Sequence, residues 1–117
     1  MRPAEHDRIL GNVSHLPHIM AAALVNASNI RELAFAGKGF MDTSRIASGP
    51  ANIWTDILMA NYGNVVKALD KFIVEVEKIK KAMKNNDARR IEQLLTSAKQ
   101  KRDTLIKTKI RKREFIS

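Results

Sequence analysis

Apolar positions along the chain recur at helical spacing. Ile9, Val13, Leu16, Met20 and Leu24 are separated by four, three, four and four residues, one face of an amphipathic helix over about residues 5–28. The pattern resumes at Ile53. Val65, Leu69, Phe72, Val76, Ile79 and Met83 then alternate four and three, like the a and d positions of a coiled coil. This stripe is more apolar surface than one short helix hairpin covers, so it predicts self-association. Ser48 with Pro50 marks the start of that helix, as a capping hydroxyl and a first-turn proline. Gly63 is the expected point of a break or bend, and Asn85 and Asn86 before Asp87 mark the end. Ile91, Leu94, Leu95, Ala98 and Leu105 outline a last helix that runs into a basic tail over 106–117. No stretch alternates with period two, and no repeat appears. The pattern predicts an all-α fold built on long amphipathic helices.

Composition narrows the function classes. The chain has 117 residues, one domain's worth, and with no cysteine it offers neither a disulfide scaffold nor a thiolate zinc site. No apolar run approaches the roughly 18–20 residues of a membrane span, and no signal-peptide pattern opens the chain. A cytoplasmic protein without a membrane partner is expected. The formal charge of +9 raises nucleic acid as a partner, but its distribution is uneven. Residues 99–117 hold eight Lys and Arg against Asp103 and Glu114, so +6 of the +9 lies in the tail. Phe115 is the tail's only ring, too little for base stacking. A stand-alone basic helical module, binding nucleic acid or dimerising, is the alternative reading from another class.

Candidate chemistry gathers in two stretches. In AGKGFMDTSRIASGP, residues 36–50, three of five glycines fall between helices. Neither a dinucleotide fingerprint nor a P-loop fits, because Asp42 stands where a third glycine is needed and no Gly-Lys-Ser/Thr follows. The segment reads as a connector carrying Arg45, a planar cation suited to a carboxylate, shortly before Trp54. In NVSHLPHIM, residues 12–20, Ser14, His15 and His18 share one edge of the first helix. Pro17 lacks the N–H that would reach the carbonyl of Val13, so a kink is expected to aim the three side chains at a ligand. No metal site is expected, since neither Cys nor an HExxH pattern accompanies the pair. Two imidazoles, a hydroxyl, a kink and an arginine together favour a pocket for an anionic, oxygen-rich small molecule.

The series HDRILGNVSHLPH (6–18), GFMDTSRIA (39–47), Pro50 and Trp54 resembles the C-terminal domain of prephenate dehydrogenases over about residues 5–105. The resemblance implies a helical dimerisation domain like that of 6-phosphogluconate-dehydrogenase-type enzymes, with an intertwined homodimer. It also implies an N-terminal Rossmann domain that binds NAD or NADP, and Met1 begins almost on the HD motif, so the chain is expected to be one domain of a longer enzyme. The family oxidatively decarboxylates prephenate to 4-hydroxyphenylpyruvate in tyrosine biosynthesis, or arogenate to tyrosine, by hydride transfer to the nicotinamide. By resemblance the base is a histidine of the other domain, so no catalytic residue is expected in this chain and the domain alone should be inactive. Arg45 matches the arginine that grips a substrate carboxylate, and Ser14, His15 and His18 match the residues lining the pocket. Trp54 matches a position beside that arginine. Asp42 is expected to brace the loop or Arg45, Pro17 to set the turn, and His6 and Asp7 to support the helix entry. Met41 stands where many relatives carry Lys or Arg, leaving Lys38 as the nearest substitute cation, and Ser44 replaces the more usual Thr.

Overall fold

Proline decides the first irregularity of the chain. In this computed structural model, which describes residues 1–112 and the side chains through Lys109, helix α1 (Pro3–Leu10) passes into a π-helical turn (Gly11–His15) and then into α2 (Leu16–Asn26). The N–H of Leu16 reaches back five residues to the carbonyl of Gly11. That wider register precedes Pro17, which sits in the first turn of α2, where a missing N–H is tolerated. The irregularity expected at Pro17 is thus a π turn one step upstream. It also rotates the faces that follow. Val13, expected on the apolar face, is 66% exposed, whereas His15 and His18 are 8% and 7% exposed.

The 36–50 segment is mostly helical rather than an open connector. After the short α3 (Ile30–Leu33), capped by Asn29 Oδ1 accepting from the N–H of Arg31 at 2.8 Å, come α4 (Lys38–Ser44) and a 3₁₀ turn (Arg45–Ser48). Both α4 and that turn pack against α2. Helix α5 (Ala51–Ala60) starts behind Pro50 without a side-chain cap, so Ser48 does not cap it as expected. The break before α6 (Tyr62–Lys84) falls at Asn61, not Gly63. A Cβ on Gly63 would meet nothing within 4 Å, whereas one on Gly11 would lie 3.1 Å from Cβ of Asn64. Gly11 therefore lets the π turn approach the start of α6 closely.

The chain divides into two compact units, Met1–Phe72 and the part from Ile73 onward, with α6 continuing through the boundary. In the first unit the buried apolar residues are small: Ala21, Ala68 and Val65. In the second, α6 turns into α7 (Ala88–Lys112) through Asn85, Asn86 and Asp87, as the sequence predicts. Asn86 takes the left-handed conformation (φ 52°). The N–H groups of Asn86 and Asp87 return to the carbonyls of Met83 and Ala82, the pattern that closes a helix end. Asp87 then caps α7, its Oδ1 accepting from the N–H of Arg90 at 3.0 Å. Glu75 and Ile79 of α6 line a hollow with Leu94 and Ala98 of α7.

The heptad-like stripe is covered only in part within one chain. Val65 is buried, Leu69 and Phe72 are half-buried, but Val76, Ile79 and Met83 are exposed, Met83 by 62%. No helix among the described residues is long and apolar enough to cross a membrane. The basic tail is helical as far as Lys112, while its last five positions, Phe115 among them, lie outside the described residues.

Candidate functional site

Trp54 is set on the first turn of α5, directly after the 3₁₀ turn that packs on α2, and this brings its indole onto the histidines of the opening helix. The His18 ring lies parallel to the indole with centroids 3.8 Å apart and planes 12° apart. His15 approaches edge-on, at 6.3 Å and 82°. Gly49 makes room for the stack: a Cβ there would stand 2.9 Å from Trp54 Nε1 and 3.0 Å from His18 Cε1. The sequence pairs the two histidines with Trp54 only as members of one pocket. The structure packs them ring on ring.

The two imidazoles differ in their hydrogen bonding. His15 Nδ1 lies 3.2 Å from Nδ2 of Asn61. That amide also donates to the backbone carbonyl of Asp7 at 2.7 Å, and its Oδ1 accepts from Asn64 Nδ2 at 2.8 Å. His18 Nδ1 is buried and has no partner among the described residues. A buried polar atom left this way costs about 1–3 kcal/mol, so it marks a place where a donor or acceptor from outside the chain would be stabilising. Ser14, the residue before His15, is half-buried.

Arg45 lies in different surroundings. With Asp42, Met41, Val25, Leu33 and Phe40 it lines an open hollow of about 560 Å³. Neither histidine nor Trp54 is part of that lining. Among the described residues no ion pair joins Asp42 to Arg45, so of the two braces expected of Asp42, loop or Arg45, the one to Arg45 is not formed in the single chain. Arg45 is exposed, and so is Lys38 at the start of α4. His6 and Asp7 are exposed with His6 Nδ1 3.7 Å from Asp7 Oδ1, and the support Asp7 gives is its carbonyl.

Asn61, Asn64 and Gly49 escaped the sequence reading as site residues. Asn61 had a legible signal, since it follows Trp54 by seven residues, two helical turns along the same face. Gly49 had none, because only the folded packing shows what its missing side chain leaves room for.

Comparison with known proteins places the chain in a family. The family model described as prephenate dehydrogenase, dimerization domain, matches residues 2–97. Prephenate dehydrogenase of Bacillus subtilis (strain 168) is 38% identical over 111 residues, covering 90% of this chain and 30% of the relative. Among solved structures, prephenate dehydrogenase from A. aeolicus in complex with hydroxyphenyl propionate and NAD+ superposes with a TM-score of 0.81 at 34% identity, over 90% of this chain and 39% of that one. Synechocystis arogenate dehydrogenase gives 0.82 at 26% identity, over 90% and 41%. The chain therefore spans about 30% of the curated relative's length. With its match running from the opening helix into α7, the chain belongs to the prephenate dehydrogenase family, as that family's helical dimerization domain.

Proposed function

We propose that this chain completes the substrate site and forms the homodimer of an NAD- or NADP-dependent dehydrogenase that oxidatively decarboxylates prephenate, with arogenate as the alternative substrate. The observation that carries the reading is the unpartnered, buried Nδ1 of His18 on the Trp54 indole, next to a second buried imidazole. Such a cluster is polar, desolvated and shaped by aromatic faces, which suits a ligand with a ring and several oxygens. Arg45 lines a separate hollow but lies on the 3₁₀ turn that packs against α2, and from there it supplies the charge. Its planar guanidinium, free of any ion pair among the described residues, is available for a bidentate bond to a carboxylate. Ser14, His15 and His18 read the oxygen substituents, Trp54 is the platform, Pro17 holds the first turn of α2 that carries His18, and Asp42 and Lys38 supply nearby charge.

The chain's own residues do not fit a dinucleotide. It has no glycine-rich strand-turn-helix, and no strand forms among the described residues. Its contribution to rate is binding and orientation, which lowers the barrier by holding the reacting carbon in place. The dimer is supported by the exposed apolar residues of α6, since Ile73, Val74, Val76 and Met83 would otherwise remain in water.

The test is a chimera in which this chain replaces the corresponding C-terminal segment of the Bacillus subtilis enzyme, assayed with prephenate and with arogenate. Prephenate-dependent reduction of NAD is expected. Arg45→Ala removes a charge-assisted bond of about 2–4 kcal/mol, so kcat/KM should fall about 30- to 1,000-fold with the dimer intact. A folded, dimeric chimera that reduces NAD with neither substrate refutes the reading.

A further inference from the structure

The amide of Asn61 has its orientation settled by its neighbours. The carbonyl of Asp7 can only accept, so the group 2.7 Å from it must be the NH₂ end. The opposite end is then the oxygen, which accepts from Asn64 Nδ2 at 2.8 Å. Turning the amide over would set oxygen against oxygen and NH₂ against NH₂. The carbonyl of Asp7 has two lone pairs, and the Gly11 N–H that it also receives is shared with the carbonyls of Arg8 and Ile9. One N–H of Asn61 is used on Asp7. The other points to His15 Nδ1 at 3.2 Å.

An NH₂ group cannot accept, so Nδ1 of His15 must present its lone pair, and the ring proton then sits on Nε2. We propose that Asn61 is a positioning residue that locks His15 in the Nε2–H tautomer, giving the site a fixed N–H donor for an oxygen of the bound substrate. The ligand part of this inference rests on the function proposed above; the tautomer does not. The arrangement differs from that of His18, whose Nδ1 has no such neighbour. Of the two buried imidazoles, one is therefore preset by the protein and the other is left to what binds. The lock is also built from three elements: α1 through Asp7, the residue between α5 and α6 through Asn61, and α6 through Asn64. Because His15 is 8% exposed, water does not readily substitute for the amide.

Long-range proton–nitrogen spectra of the imidazoles in this chain, recorded without ligand above the ordinary histidine titration range, read the tautomer directly. The three histidines are assigned by substituting each in turn. His15 should show a protonated Nε2 and a hydrogen-bonded, unprotonated Nδ1. Asn61→Asp offers a carboxylate that accepts and should invert the pattern to Nδ1–H. Asn61→Ala should move the Nδ1 signal to that of a nitrogen without a donor. Should Asn61→Asp fail to fold, the wild-type spectrum and Asn64→Ala, which frees the Asn61 amide and should weaken the same Nδ1 signal, decide the matter. An Nδ1–H tautomer in the wild type, or a folded Asn61→Asp with an unchanged His15, overturns the proposal. In the chimera, Asn61→Asp should raise KM for prephenate about tenfold, with a smaller change in kcat. Equal KM values overturn the positioning role. A wild-type chimera that turns over no prephenate counts instead against the proposed function, and the tautomer lock is then decided by the spectra alone.

Discussion

Gly49→Ala tests the geometry of the aromatic cluster with one added carbon. The backbone there is extended (φ −61°, ψ 157°), a conformation alanine adopts freely, so no backbone strain is introduced. What the methyl meets is rigid. It would lie 2.9 Å from Trp54 Nε1, 3.0 Å from Trp54 Cδ1 and 3.0 Å from His18 Cε1, on rings already held 3.8 Å apart in a stack. Neither ring can retreat without breaking that stack, and overpacking of this kind costs about 1–3 kcal/mol. Removing a glycine restricts the unfolded chain and returns about 0.4–1 kcal/mol. The net expectation is a loss of about 1–2 kcal/mol, or about 5–10 °C in Tm, measured at equal protein concentration because a dimer's Tm depends on it. Trp54 is the chain's only tryptophan, so its emission and near-ultraviolet dichroism should change with the same substitution. Gly39→Ala is the control of opposite sign: a Cβ there meets nothing within 4 Å inside α4, and better helix propensity should stabilise by about 0.5–1 kcal/mol. A Gly49→Ala protein as stable as the parent, with unaltered tryptophan signals, would refute the close packing of Gly49, Trp54 and His18.

Other outcomes follow from particular contacts. Asp87→Ala removes the cap of α7 and should cost about 0.5–2 kcal/mol in denaturant unfolding, whereas Asp87→Asn should retain most of it. Ile73→Glu combined with Val76→Glu places two charges on the exposed face of α6 and should shift sedimentation equilibrium toward monomer; an unchanged dimer would move the interface elsewhere. The hydrogen bond from Lys78, 2.7 Å away, holds the Glu75 carboxyl below its ordinary range. Its stabilisation is therefore present above the unfolded carboxyl pKa and is lost as pH falls through the lower folded value. In Lys78→Met the Glu75 titration, followed by carbon NMR, should move upward.

Helix content and several helix ends could be read directly from the sequence, because they rest on local chemistry. Asn86 and Asp87 mark the α6–α7 turn by what their own side chains and backbones do, whatever packs around them. The motif SHLPH and the Arg45–Trp54 stretch were equally legible as places where polar chemistry interrupts helical periodicity. The apolar face of the first helix was legible at Ile9, Leu16, Met20 and Leu24, which are half-buried, but not at Val13. A uniform period of about 3.6 residues puts Val13 inside, but one π turn advances the chain by an extra residue and rotates every later position by roughly a helical step. Tertiary packing then chose which side chains to bury, and it placed His15 and His18 against an indole from α5 while Val13 turned outward. The separation of Arg45 from that cluster, the room left by Gly49 and the amide chain from Asp7 through Asn61 to Asn64 also belong to the structure alone. Each depends on elements far apart in sequence meeting at atomic distance, and periodicity carries no information about the distance between two helices.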